Sequence, residues 1–272
     1  SRASSNSSPC CASATRDAAW LRRCCRDRDV TVTDVTEAWA TFGVMGPSSR
    51  ALLAELTAAD LGNDRFPFTA AQRIELADQE VLALRMTYVG ELGWELYVPW
   101  RSAPQVYDAI LEAGAGHGLR HAGYHAMESL RIEAGYRSWG HDLTDQDTPI
   151  EAGLGFAVDW EKPSFVGREA LLAQRDLPRA KRLVQFRLED PERLLYHDEP
   201  ILRDGELVGR TSSGMWSHLE GRCLAMGYLN HPPGVSEDWL AEGSFEIEVA
   251  TERLPVTPSL RSFYDPRSLR VR

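Results

Sequence analysis

The sequence predicts an α+β fold, with helices and strands mixed in the N-terminal part and short strands filling the C-terminal part. Apolar residues recur at helical spacing over residues 102–134. From Arg182 onward, short runs alternate apolar and polar side chains between turn signals, of which Asp204-Gly205 is the clearest. This second pattern is typical of a small barrel or sandwich.

Before that β-rich region, the pattern predicts helices separated by strands. The predicted elements are a helix over residues 16–25, strands over 30–35 and 38–44, and helices over 48–56, 102–114, 123–134 and 167–175. Gly46-Pro47 suits the start of the second helix, because proline is tolerated in a first helical turn. Residues 69–72 and 102–105 have capping-box spacing, and the second of these starts the helix predicted over 102–114.

The composition is that of a globular protein and excludes two classes of partner. The chain has 272 residues, of which 43% are hydrophobic, and a formal net charge of -10. A nucleic-acid-binding protein needs a broad basic face, which this charge argues against. No apolar run approaches the ~20 residues of a membrane helix. We therefore predict neither nucleic acid nor membrane as a partner.

The cysteines predict free thiols in a reducing, cytoplasmic compartment. The chain has an odd number of them, and none forms a C-x-x-C pair. Residues 1–15 are small and polar and lack the apolar run of a signal peptide, so we expect a disordered tail there.

Residues 87–98 form the stretch on which the functional interpretation depends. They predict a strand, a turn and a second strand, with residues 86–89 ending the first strand. Gly90 and Gly93 bracket the turn, where a positive φ is open to glycine. Apolar and polar side chains then alternate, so Glu95 faces away from the apolar side. A carboxylate held on a strand is rigid, as a recognition group needs to be.

The same stretch carries a family resemblance. Residues 88–95, Tyr-x-Gly-Glu-x-Gly-x-Glu, resemble the folate-binding signature of the aminomethyltransferase family, which includes the glycine-cleavage aminomethyltransferase. Residues 126–136, and 139–144 with 148–155, resemble two further motifs of that family in the same order. Their wording is most similar to the C-terminal halves of dimethylglycine and sarcosine dehydrogenases and oxidases. The similarity runs from about Val30 to the C-terminus.

The resemblance implies a multi-lobed, cloverleaf-like arrangement around a central folate channel. Residues 16–178 would form the folate-binding region. Within it, residues 43–132 would be one lobe, and 16–42 with 133–178 an incomplete ferredoxin-like lobe. Residues 179–272 would form a C-terminal β-barrel lobe.

The resemblance also implies a reaction. Tetrahydrofolate, as co-substrate, would capture a one-carbon unit from an oxidised N-methyl amine to give 5,10-methylenetetrahydrofolate. The partners implied are folate, a small N-methyl amine and a flavin-containing domain or subunit that oxidises the amine. This chain has no flavin-binding βαβ fingerprint, so we expect no FAD site in it.

Three residues are candidate binding residues by this resemblance. Glu95 matches the position that binds the pterin ring, Tyr88 a folate-pocket tyrosine, and Tyr264 a C-terminal tyrosine near the substrate. The chemistry suits Glu95, because a pterin presents two parallel N–H donors that one carboxylate can accept together. The alternatives to a binding role are that the glutamate is a solvent-exposed strand residue and that the tyrosines only pack against their neighbours.

The family's catalytic aspartate belongs to a segment that precedes the region of Trp20, and nothing in this sequence corresponds to that segment. We therefore expect an N-terminally truncated piece of a longer enzyme, whose catalytic residues are unknown within this chain. The alternative function is a non-catalytic folate-binding or structural module, an inactive fragment lacking the aspartate region.

Two charged groups are interpreted as structural. The loop around residues 141–147 is acidic, but its spacing does not match a calcium loop and it has a single histidine, so we predict no metal. Arg131 follows Glu128 at helical i, i+3 spacing, which predicts an ion pair on the helix surface.

Overall fold

The computed structural model describes residues 14–271, which divide into two compact units. The first unit holds residues 14–127 and 267–271, and the second holds residues 128–266. The tail predicted over residues 1–15 lies outside the described residues, apart from the two with which the first helix begins. The domain limits predicted from the sequence stay predictions.

The first unit is built on a four-stranded antiparallel sheet. Its elements are α1 (Ala14–Cys24), β1 (Trp39–Met45), α2 (Ser49–Ala54), β2 (Ala71–Leu76), β3 (Gln79–Leu84), β4 (Gly93–Pro99) and α3 (Ala103–Gly116). The strand order is β1-β4-β3-β2. A further helix, α4 (Tyr124–Glu133), crosses from the first unit into the second.

One face of this sheet is the core of the first unit. Trp94, Leu96 and Val98 on β4 are fully buried, while the side chains between them are half-buried. Val106 of α3 and Leu53 of α2 belong to the same buried cluster. The alternation predicted for β4 is therefore confirmed, and it leaves the opposite face of the sheet towards solvent.

Two strands predicted for the first unit are absent, and one capping-box signal starts no helix. Residues 30–35 are not a strand, and Val30 and Val35 are more than half exposed, so they bury no sheet face. Residues 69–72 do not start a helix, because Thr69 takes a φ of 70° and the chain enters β2. Residues 86–89 are not a strand, since β3 ends at Leu84.

The second unit contains a closed antiparallel barrel, as the sequence patterns and the resemblance predicted. Its elements are α5 (Arg168–Arg175), β5 (Lys181–Leu188), β6 (Pro200–Arg203), β7 (Glu206–Ser217), β8 (Arg222–Asn230), α6 (Glu237–Glu242), β9 (Phe245–Val249) and β10 (Glu252–Ser259). The strands close in the order β10-β5-β8-β7-β6-β9. Asp204 and Gly205 form the predicted hairpin turn, both with positive φ.

Strand β5 is buried on both faces. Val184, Phe186 and Leu188 belong to the barrel cluster, while Leu183 packs with Ile132 of α4 in a separate cluster. The C-terminal turns of α4 therefore belong to the second unit. Among the described residues, no helix combines the length and apolar character needed to cross a membrane.

Candidate functional site

Glu95 lies on the half-exposed face of the first unit's sheet. It is opposite Gly43 on β1 and Leu84 on β3. Because Trp94 and Leu96 on either side of it are fully buried, the strand geometry directs Glu95 to the other face. A carboxylate in this position is held by two flanking strands and remains accessible.

The neighbour on β1 leaves space beside this carboxylate. Gly43 is exposed, and a Cβ atom added there would meet only Met45 Cε, at 3.5 Å. Directly opposed residues in an antiparallel pair lie close enough for their side chains to touch. The absence of a side chain at Gly43 therefore leaves an open space along one side of Glu95.

Tyr97 holds one oxygen of the carboxylate. Its hydroxyl donates a hydrogen bond of 3.1 Å to Glu95 Oε2. The two residues are spaced by two along β4 and so share one face. A hydrogen bond to a charged acceptor is stronger than one between neutral groups, so Tyr97 limits the rotation of the Glu95 side chain.

The loop between β3 and β4 is fastened to the start of α2 and to β1. Leu92 O accepts hydrogen bonds from Gly46 N at 2.7 Å and from Ser49 Oγ at 3.0 Å. Thr87 Oγ1 donates to Met45 Sδ at 3.6 Å. The chain therefore enters β4 in a defined direction, which positions Glu95.

The two glycines of this loop have different roles. Gly90 has a φ of 74°, as predicted for the turn. Gly93 does not have a positive φ and belongs to β4, so that part of the prediction is wrong. A Cβ at Gly93 would lie 2.6 Å from Met45 Cγ, and so Gly93 is required for a close approach of β1 and β4.

Tyr88 lies in the same loop and is buried, with 7% of its surface exposed. Nearby in sequence, Arg85 is 1% exposed and donates to Phe66 O at 2.7 Å and to Val271 O at 3.2 Å. Burial, followed by the charge of Arg50, lowers the pKa of Arg85 below its ordinary value. The loop that carries Tyr88 thus begins at a firmly bound residue.

Tyr264 belongs to the second unit, after β10, and is half-buried. The chain beside it is fixed by a hydrogen bond of 2.8 Å from Phe263 N to Gln185 Oε1 on β5. The structure thus places Tyr88 and Glu95 on one loop and strand of the first unit, and Tyr264 in the second unit.

The predicted ion pair between Glu128 and Arg131 is present, but its predicted place on the helix surface is wrong, because Arg131 is buried. Its side chain is 2% exposed and is paired with Glu128 and with Asp142. It also donates to Ser213 Oγ on β7 at 2.8 Å. Helical spacing suggested the Glu128 contact alone, because the other partners are distant in sequence.

The acidic loop has structural contacts, and no group of residues suited to a metal ion is found in the described part of the chain. Asp142 is fully buried and accepts hydrogen bonds from Ser138 N at 2.8 Å and from Ser213 Oγ at 2.7 Å. Asp147 is bound to Lys181 at 2.6 Å. These carboxylates fasten the loop to the barrel.

Comparison with known proteins identifies the family. Residues 9–162 match the GCVT N-terminal domain, and residues 181–265 match the glycine cleavage T-protein C-terminal barrel domain. The chain belongs to the glycine cleavage T-protein (aminomethyltransferase) family. The family predicted from the three motifs is thereby confirmed.

Relatives of this T-protein-family chain include two large oxidising enzymes and an aminomethyltransferase. It is 40% identical over 258 residues to 4-methylaminobutanoate oxidase (formaldehyde-forming) of Paenarthrobacter nicotinovorans, covering 94% of this chain and 31% of that protein. It is 40% identical over 242 residues to the mitochondrial sarcosine dehydrogenase of Homo sapiens, covering 88% and 26%. It is 34% identical over 217 residues to the aminomethyltransferase of Halothermothrix orenii, covering 79% and 59%.

The T-protein-family fold is confirmed by a solved structure. The crystal structure of glycine cleavage system aminomethyltransferase T from Bartonella henselae matches with a TM-score of 0.77 at 23% sequence identity. The match covers 95% of this chain and 67% of that one. The chain spans only a quarter to a third of the length of the oxidase and dehydrogenase relatives. The activities in the names of these relatives are therefore those of much longer proteins, of which only one region is compared with this chain.

Proposed function

We propose that this T-protein-family chain binds tetrahydrofolate through Glu95. The observation that carries the proposal is the placement of Glu95 on a half-exposed strand face, with the open space at Gly43 beside it. The hydrogen bond from Tyr97 to Glu95 supports it, because it keeps the carboxylate in one orientation.

The chemical fit is between a carboxylate and a pterin edge. A pterin presents a ring N–H and an exocyclic amino group as two parallel donors, and a carboxylate accepts one on each oxygen. Strands β1 and β3 hold β4 on both sides, so little conformational freedom is lost when the ring binds. Tyr88 and Tyr264 remain proposed contacts of the folate and the substrate.

The proposed reaction is one-carbon capture. An N-methyl amine, oxidised by a flavin-containing domain or subunit, provides an iminium carbon. A folate nitrogen attacks that carbon, the second folate nitrogen displaces the demethylated amine, and one proton is released to give 5,10-methylenetetrahydrofolate. The role proposed for the protein is to hold the folate nitrogens against the iminium, which makes the reaction effectively intramolecular.

Calorimetric titration with tetrahydrofolate tests the proposal on the wild type, Glu95→Ala and Glu75→Ala. Glu75 is the matched control, because it is an exposed glutamate on β2 of the same sheet. Loss of charge-assisted hydrogen bonds should weaken binding by about 100-fold in Glu95→Ala. Glu75→Ala should bind as the wild type does. Equal binding by all three proteins would overturn the proposal.

A turnover assay separates one-carbon transfer from binding alone. The demethylated amine and formaldehyde form the iminium in solution. They are mixed with tetrahydrofolate in the presence and absence of the protein. Methylenetetrahydrofolate formation above the uncatalysed rate, lost in Glu95→Ala, is expected. Tight binding without acceleration would instead support a non-catalytic folate-binding module.

A further inference from the structure

Met45 lies on the same sheet face as Glu95, one row further along. It pairs directly with Gly93, while Glu95 pairs with Gly43. A Cβ on Gly93 would be 2.6 Å from Met45 Cγ, so the methionine side chain lies across the glycine. The absence of a side chain at Gly93 therefore leaves room for the Met45 side chain on this face.

The end of the Met45 side chain reaches towards the row that contains Glu95. Its Cε methyl lies 3.5 Å from the position of a Cβ at Gly43, the residue opposite Glu95. Diagonal neighbours in an antiparallel pair are within reach of long side chains. The methyl group therefore borders the open space beside the carboxylate.

The conformation of this methionine is held from the loop. Thr87 Oγ1 donates to Met45 Sδ at 3.6 Å. Met45 is half-buried, whereas its neighbour Val44 is 5% exposed and belongs to the core. Met45 is thus a large apolar side chain placed at the site and outside the core.

We propose that Met45 is a ligand-contacting residue whose thioether and methyl pack against the face of the flat ring bound by Glu95. The inference rests on the proposed function and deepens it. A carboxylate binds only the edge of a ring, and an apolar, polarisable group is needed for its face. Gly43 supplies the space, Glu95 the edge contact and Met45 the face contact.

Methyl NMR tests the contact directly in the intact protein. The chain has five methionines, and the Met45 resonance is assigned by its absence in Met45→Leu. Addition of tetrahydrofolate should shift this resonance. Met226, which is 2% exposed in the barrel, is the internal control and should not move. Saturating ligand without a shift at Met45 would overturn the inference.

Affinity measurements distinguish this inference from the proposed function. Met45→Ala should weaken binding of tetrahydrofolate and of a tetrahydropterin without the aminobenzoylglutamate tail by about tenfold, and Met45→Leu should weaken it less. If the wild type binds, Glu95→Ala does not, and Met45→Ala equals the wild type, then only the role of Met45 fails. If the wild type does not bind, the proposed function itself fails.

Discussion

The guanidinium of Arg131 and the carboxylate of Asp142 form an ion pair with side chains only 2% and 0% exposed. Arg131 is on α4, Asp142 is on the loop that follows, and both contact Ser213 on β7. A helix, a loop and the barrel wall thus meet at one charged pair within the second unit. Each charge depends on the other, because neither is in contact with bulk water.

We expect Asp142→Ala to destabilise the protein by about 3 kcal/mol, since it breaks the buried pair with Arg131 and leaves Ser138 N and Ser213 Oγ without their acceptor. Urea denaturation followed by circular dichroism measures the loss. The control is Arg73→Ala, which breaks an exposed pair with Glu80, at 2.7 Å, whose side chains are 60% and 69% exposed. That variant should lose less than about 1 kcal/mol. Similar losses in both variants would contradict this account.

Asp147 should make stability depend on acid pH. Burial alone would raise its pKa, but hydrogen bonds from Lys181 and Thr144 and the charge of Lys181 outweigh it and hold the pKa below the ordinary value of 3.8. The ionised form is therefore favoured in the folded state. Its contribution is complete above the unfolded-state pKa of about 4 and is lost as the pH falls through the lower folded-state pKa.

The variant Asp147→Asn tests that sign. It should be less stable than the wild type at pH 7 by about 1 kcal/mol, and the difference should shrink as the pH falls below about 4. Thermal melts over a pH series give both quantities. Asp64→Asn, at an exposed loop position, should show no such trend. A difference that grows in acid would have the wrong sign.

Cys223 should resist alkylation. Burial raises the pKa of its thiol to about 11, and its side chain is 0% exposed. Only a small fraction is thiolate at pH 8, and the thiolate is the reactive form. Iodoacetamide treatment of the native protein, followed by peptide mass spectrometry, should label the exposed Cys24 well before Cys223. Equal labelling rates would refute this expectation.

Gly43→Val should weaken ligand binding and leave the fold intact. A Cβ at this position meets only Met45 Cε at an ordinary 3.5 Å, so the sheet can accept it. The branched side chain then occupies the space beside Glu95, and tetrahydrofolate binding should fall by at least about tenfold. Thr41→Val, at an exposed position on the same strand, should leave binding unchanged. Calorimetry and a thermal melt together would reveal an unfolded variant.

The local sequence pattern predicted the structure correctly where the burial of side chains follows that pattern. The alternation in β4 placed Glu95 on the correct face, and the Asp204-Gly205 turn identified a barrel hairpin. The family motifs then predicted the C-terminal barrel and the family to which the chain belongs. These features depend on spacing within one segment, which a single sequence displays directly.

Other local predictions were wrong because contacts between residues distant in sequence decide the structure there. Capping-box spacing at residues 69–72 is a local signal, but pairing of β2 with β3 overrides it. At residues 102–105 the helix does begin, yet Ser102 Oγ donates to Gln79 Oε1 instead of capping it. Arg131 looked like a surface residue because Asp142 and Ser213 approach it only in the folded chain.

The two sheets of the described chain differ in what they leave unpaired. The barrel closes on itself, whereas the four-stranded sheet ends in β1 on one side and β2 on the other. Strand β2 carries Arg73 and Glu75 at exposed positions, and charges of this kind discourage strand addition. Strand β1 has the sequence Trp-Ala-Thr-Phe-Gly-Val-Met, without a charge. Aggregation by edge-to-edge pairing during expression is therefore expected to begin at β1.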